Sequence, residues 1–465
     1  MSMNQPNRVV GAITGITASL WLAACTTGSD AALPEAIASA PPAAEAVAAA
    51  PQAAEPTPLP TFSEDGIAAL EARMAQFVED GDVAGIETLL VHRGERVSHT
   101  LAGIRKAETG DPVTDDTIYR IYSMTKPVTS VAMLILLEEG AFELDDPITD
   151  YFPEFADLEV LTGPDESGAY GTEPLGRSPT VRELMSHQAG FAYGLFGDDP
   201  ANTALRNGQV FASDGLEAFI DKIAGVPLLF QPGERWYYSV AVDIQGAMVE
   251  RLSGQSFGAF LETRLFTRLG MHDTGFHVPD ADYDRFSDVW GYHPETAAFG
   301  PVPGPRVAFR KETVTMESGG GGLVSTMDDY ARFAQMLLNG GELDGVRILQ
   351  PETVELMRTN VLPDTTTVDL SGTLSESDAA TQRFGLNVGV YQNAEAFNLK
   401  VGEGTYYWGG AAGTWFWIDP VNELFFIGMI QRFAQGAPTP IDTWLVSQEH
   451  VYGALNTSDT VGMGG

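Results

Sequence analysis

Cysteine occurs once in this chain of 465 residues, at position 25. A single thiol excludes a disulfide within the chain and any zinc site built on several cysteines. Basic residues are scarce too: 26 Lys and Arg stand against 63 Asp and Glu, for a formal net charge of −37. Such a field repels phosphate backbones, which excludes nucleic acid as a partner and favours neutral or cationic ones. Long apolar runs are missing. The run Val9–Ala24 holds sixteen residues, fewer than a bilayer span needs. There is no His-Glu-x-x-His pair, and the glycines at 319–322 are not followed by Gly-Lys-Ser/Thr, so neither a metalloprotease helix nor a phosphate loop is encoded. The seven histidines are scattered and read as surface or hydrogen-bonded side chains. What is present is core-forming material. Hydrophobic residues make up 44% and aromatics 10%, enough to exclude global disorder and to fill one large domain or two to three ordinary ones.

The apolar run follows Arg8 and ends in Leu22-Ala23-Ala24-Cys25. Its length suits a secretory signal core, and its end resembles a bacterial lipobox, where cleavage precedes a cysteine that is then lipidated. Residues 1–24 are therefore expected to be a lipoprotein signal peptide. Cys25 is expected to carry a lipid that ties the protein to a membrane of the cell envelope, on the periplasmic side. Residues 31–60 hold 13 Ala and 7 Pro. That many prolines forbid a continuous helix, so residues 25–60 read as a semi-extended tether.

The folded domain is expected over 61–465. Thr61 and Glu64 have capping-box spacing ahead of an apolar-periodic run reaching Phe77. Ile86–His92 and Val97–Leu101 read as a hairpin around Arg93-Gly94-Glu95-Arg96. After Tyr122 the pattern turns helical, with Val128, Val131, Ala132, Ile135 and Leu136 on one face and Gly140 as the stop. Helices are also expected at Thr180–Met185, Gly215–Ile223 and Val240–Leu252, at a segment opened by Ser325 and Asp328 and ending near Gly340, and at Thr443–Leu455. Tyr406–Trp408, Trp415–Ile418 and Leu424–Met429 read as strands, the last apolar enough to be interior. Strands at both ends with a helix-rich insert imply one sheet built from 61–155 and 305–457, with a helical lobe from 156 to 304.

Two serine motifs compete for a catalytic role. Gly254-Gln255-Ser256-Phe257-Gly258 has the spacing of a nucleophile elbow, but that motif needs a preceding strand, and here a helical run precedes it. Gly254 then reads as a helix stop and Ser256 as an N-cap. The other is Ser123-Met124-Thr125-Lys126 at a helix start, in a chain with only five lysines. Positions i and i+3 share a helix face, which brings the amine to the hydroxyl. Backbone N–H groups and the positive end of the helix dipole favour a developing oxyanion there. Lys126 acts as a base only if it can shed its proton or pass the task to a second group, and a nearby phenol would serve. Tyr238, after the Pro232-Gly233 turn, is the candidate. A third stretch, Trp408-Gly409-Gly410-Ala411, offers small residues that let backbone approach a ligand and complete an oxyanion hole.

These three stretches, in this order, resemble the serine β-lactamase and penicillin-binding-protein superfamily, class C-like, and within it the family VIII carboxylesterases. Thr180–Gly190 (TVRELMSHQAG), Gly319–Phe333 and Met336–Pro351 also look familiar, and the likeness runs over about residues 62–455. The resemblance implies an α+β fold in which helices flank an antiparallel sheet beside a mostly helical lobe, with the site between. It implies Ser123 as the acylated nucleophile, Lys126 and Tyr238 as the proton-transfer pair, and the N–H groups of Ser123 and Ala411 as the oxyanion hole. Trp408, Gly409, Gly410 and Val240 would line the substrate cleft. No metal or other cofactor is implied. Where β-lactamases usually show Tyr-x-Asn, Val240 stands third; where they show Lys-Thr-Gly, Trp408 stands first. Neither can hold an anionic lactam as Asn and Lys do, and an aromatic wall suits a neutral apolar group. The expected function is hydrolysis of small neutral carboxylic esters through an acyl-enzyme. The alternatives are a β-lactamase or D-amino-acid peptidase acting on cell-wall-like amides, and a non-catalytic binding lipoprotein. Sequence leaves the oligomeric state open.

Overall fold

Nearly continuous apolar runs along successive strands dictate a sheet that must be covered on both faces. In the computed structural model, which describes residues 61–304, 307–363, 366, 368, 382–396, 399–433 and 441–456, that sheet has seven strands. They are β1 (Gly85–His92), β2 (Glu95–Gly103), β3 (Gln382–Phe384), β4 (Gly389–Tyr391), β5 (Tyr406–Gly409), β6 (Trp415–Asp419) and β7 (Leu424–Ile430). The order across the sheet is β3-β4-β5-β6-β7-β1-β2, every pairing antiparallel. β7 lies between β6 and β1 with all seven residues buried, which is why its sequence is nearly unbroken in apolar residues. The expectations for residues 1–60, Cys25 and the tether included, lie outside the described residues.

The period-two alternation sorts side chains into two cores. Ile86, Leu90, Trp415, Trp417 and Phe426 face helices α1 (Glu64–Glu79) and α7 (Thr443–Ala454), meeting Leu70, Met74, Phe77 and Val451. Leu89, Val91, Phe416, Phe425 and Ile427 face the other way, toward α2 (Thr125–Glu138) and α6 (Met327–Leu338). The insert adds the short α3 (Val181–Met185), α4 (Gly215–Ile223) and α5 (Ala241–Ser253), which continue this second core. The whole is α+β.

Two helix starts differ from expectation by a common cause. Ser63, not Thr61, caps α1, accepting the Gly66 N–H at 3.1 Å. Thr326, not Ser325, caps α6, accepting the Asp329 N–H at 3.3 Å. Thr61 is committed to pairing with Asn456, and Ser325 to pairing with Tyr119. The cap therefore passes to the next hydroxyl along. Thr180 and Glu183 close a full capping box on α3.

Candidate active site

Ser123 lies in a single 3-10 turn, Tyr122–Met124, that runs directly into α2. Tyr122 adopts φ 42°, a left-handed conformation uncommon outside glycine. Its ring is held by Phe309 and Phe433 at centroid distances of 6.0 and 5.7 Å. Non-glycine residues in this region persist where surrounding structure over-determines them, and such strain concentrates at functional sites. The elbow is pinned on its other side by the turn after β5. Gly410 there lies so close that a Cβ would come within 2.4 Å of the Ile121 carbonyl oxygen, and Thr414 donates its hydroxyl to that same oxygen at 3.3 Å. Ala411 sits exposed at the tip of this turn.

Lys126 is completely buried. Its Nζ lies 2.6 Å from the Gly320 carbonyl oxygen and 3.3 Å from both Ser123 Oγ and Tyr193 Oη. A carbonyl can only accept, so one N–H is always spent on Gly320. If the amine is neutral, its lone pair is left for a hydroxyl proton, and the two hydroxyls within reach are those of Ser123 and Tyr193. The Tyr238 ring covers the same nitrogen, 4.4 Å from ring centroid to Nζ.

Tyr238 belongs to an aromatic box. His187, Tyr193, Trp408 and Trp236 surround it at centroid distances of 4.9, 5.1, 5.5 and 6.1 Å. Its hydroxyl is buried and has no hydrogen-bond partner among the described residues, as is true of Trp236 Nε1, Trp408 Nε1 and His187 Nε2. The Ser239 N–H donates to His187 Nδ1 at 3.3 Å, so that nitrogen is an acceptor and the proton of the neutral ring sits on Nε2. Burial, then the nearby Lys126 charge, holds His187 well below the ordinary imidazole range. Burial pushes the Tyr193 phenol well above 10, with Tyr238 and Asp243 adding to the rise and a hydrogen bond to Ser123 opposing it.

The structure thus brings Ser123 and Lys126 into hydrogen-bond contact and sets Tyr238 against Lys126 through its ring face. Trp408 closes one side of the box, with Gly409 and Gly410 following it into the turn. Val240 is buried beneath the site, its N–H bonded to the Ala192 carbonyl at 3.1 Å. Ser256 is exposed and caps a short helix by accepting the Ala259 N–H at 3.2 Å, while Gly254 ends α5 in the left-handed region. Sequence reasoning missed two groups. Tyr193 was signalled by an aromatic set between Gly190 and Gly194, just past the Thr180–Gly190 stretch. Asp243, a fully buried carboxylate in the first turn of α5, carried no motif of its own.

Comparison with known proteins identifies the family and the fold. The Beta-lactamase family profile matches residues 70–450. A protein of Mycobacterium tuberculosis is 34% identical over 369 residues, covering 78% of this chain and 89% of its own length. Esterase EstB of Burkholderia gladioli is 29% identical over 393 residues, covering 80% and 92%. Among solved structures, EstCE1, a hydrolase with promiscuous acyltransferase activity, superposes with a TM-score of 0.66 at 22% identity, over 84% of this chain and 99% of its own. That last likeness speaks to the fold alone.

Proposed function

The chain belongs to the Beta-lactamase family, and from that premise we propose that it hydrolyses neutral carboxylic esters through an acyl-enzyme on Ser123. The observation that carries the reading is the buried Lys126 within 3.3 Å of Ser123 Oγ, in a box whose remaining walls are aromatic. In the forward step Ser123 Oγ attacks the ester carbonyl carbon, and its proton passes to the Lys126–tyrosine pair. The N–H groups of Ser123 and Ala411 receive the tetrahedral oxyanion. The protonated pair returns its proton to the leaving alcohol, and water, activated by the same groups, releases the acid.

Substrate charge separates an ester from a lactam or a cell-wall peptide. At the position where relatives bearing Lys-Thr-Gly would place an ammonium, this chain has Trp408, and where Asn would offer an amide it has the buried Val240. Beyond Tyr193 the surface stays apolar: Leu195 is 61% exposed, Phe196 45% and Phe211 41%, with the last two rings within about 6 Å of Tyr193. An uncharged acyl or alcohol group fits such a rim, and an anionic one does not. The esterase name of the Burkholderia relative supports the same choice.

The test is turnover of a nitrophenyl ester panel of increasing acyl length, beside nitrocefin. Ser123→Ala and Lys126→Ala are expected to lose at least about a thousandfold in kcat, and Tyr238→Phe and Tyr193→Phe about tenfold or more. Near wild-type turnover by Ser123→Ala removes the nucleophile assignment, and nitrocefin turnover exceeding every ester moves the protein to the lactam side. We further propose that Cys25 carries a lipid anchor. Metabolic labelling with a fatty-acid probe, lost in Cys25→Ala, is the expected result.

A further inference from the structure

The glycine-rich stretch at 319–322 lies between α2 and α5. On the α2 side Thr129 donates its hydroxyl to the Gly319 carbonyl at 2.8 Å, and Lys126 donates to the Gly320 carbonyl at 2.6 Å. On the α5 side Asp243 Oδ1 accepts the Gly320 N–H at 3.1 Å and the Ser318 hydroxyl at 2.5 Å. The two faces of residue 320 therefore look in opposite directions, its N–H to a carboxylate and its C=O to the amine. The approach is so tight that a Cβ on Gly320 would stand 2.7 Å from Asp243 Oδ2. That second oxygen is buried without a partner among the described residues.

We infer that Asp243 is a positioning residue for Lys126: acting through the Gly320 peptide it fixes where the amine points, and its negative charge favours the protonated amine. The inference rests on the reading of Ser123 and Lys126 as nucleophile and base. Residues 238–243 serve the lysine twice, delivering the Tyr238 ring to one side of Nζ and the Asp243 carboxylate to the peptide on another. The groups facing Lys126 are Ser123 within its own segment, His187 and Tyr193 from the loop after α3, Tyr238 and Asp243 from the start of α5, and the uncharged Gly320. Asp243 is the one carboxylate in that set. A backbone carbonyl alone would hold Nζ without regard to pH. A carboxylate behind the carbonyl adds an attraction for the protonated amine, and that attraction is removed when the charge is removed.

The experiment measures labelling of Ser123 by a fluorophosphonate as a function of pH, because that rate reads the nucleophile whichever acyl substrate the protein takes. Asp243→Asn keeps an acceptor for Gly320 and Ser318 but loses the charge. The acid limb of its rate–pH profile is expected to move to lower pH by about one unit. Ser318→Ala keeps the charge and loosens the loop, so its limb is expected to stay in place while the plateau falls about threefold or more. A limb that does not move in Asp243→Asn overturns the charge role. If that variant does not fold, as judged by circular dichroism, an unchanged Ser318→Ala plateau overturns the holding role. Failure of the wild type to label at any pH removes the nucleophile reading and this inference together, whereas normal wild-type labelling with no variant effect removes this inference alone.

Discussion

Glu87 gives the sharpest stability test. It sits mid-strand in β1 with no exposure, on the face shared with Leu89 and Val91. Tyr119 donates its hydroxyl to Oε2 at 2.9 Å, and His99 Nε2 lies 2.9 Å from Oε1. Burial, the largest cause, pushes the carboxyl from 4.5 up to about 7 against the opposing hydrogen bonds of His99 and Tyr119. The bond to Glu87 likewise raises His99 above 6.5. The folded protein therefore keeps a proton on this carboxyl between pH 4.5 and about 7 that the unfolded chain releases. The associated stability is fully present below pH 4.5 and is lost as pH rises through 7, and a rise from 4.5 to about 7 corresponds to about 3 kcal/mol. The rise in His99 depends on an ionised Glu87, so the two groups titrate as one pair and the His99 shift is not added to the Glu87 effect. Glu87→Gln retains an acceptor for Tyr119 but cannot titrate. Urea unfolding of both proteins from pH 4.5 to 8, followed by tryptophan fluorescence, is expected to show the variant gaining on the wild type by about 3 kcal/mol across the window. Comparing the two removes the background from the other carboxylates. Stability curves that stay parallel would refute the reasoning.

Ser256→Ala is expected to leave ester turnover unchanged and to cost about 1 kcal/mol in unfolding free energy, the usual loss for an N-cap hydroxyl. Gly410→Ala places a Cβ 2.2 Å from Thr414 Oγ1 and 2.4 Å from the Ile121 carbonyl oxygen. Because one of those contacts is backbone two residues before Ser123, Ser123 labelling is expected to fall at least about tenfold, and retained labelling in Gly410→Ala would show that the turn gives way freely.

Much of this architecture was legible because it follows from periodicity. The unbroken apolar runs in Trp415–Ile418 and Leu424–Met429 specify strands with two buried faces, and the structure has them at Trp415–Asp419 and Leu424–Ile430. The i, i+3, i+4 spacing around Val128 specifies a buried helix, found at Thr125–Glu138. Within the site, Ser123 and Lys126 were readable because one helical turn links them, and local geometry needs no knowledge of the rest of the fold. The misses share a physical origin in contacts made over long sequence distances. Thr61 and Ser325 lost their caps to strand partners far along the chain, which no local pattern reveals. Tyr193 reaches Lys126 from 67 residues away, and Asp243 reaches Gly320 from 77. Tyr193 has only an aromatic neighbourhood to mark it and Asp243 has nothing, and both acquire meaning only when α2, α5 and the glycine stretch meet.

The order of the central sheet bears on how this protein comes into being. β1 is made early, yet one of its two neighbours, β7, arrives far later; Arg93 bonds Glu423 across 330 residues. Until translation has passed Ile430, β1 lacks its β7 neighbour, and until it has passed Thr414 the turn that braces Ile121 is missing as well. Pairings this distant slow folding and leave intermediates open to aggregation. The parts of the candidate site therefore come together only late, when the last strands close the sheet.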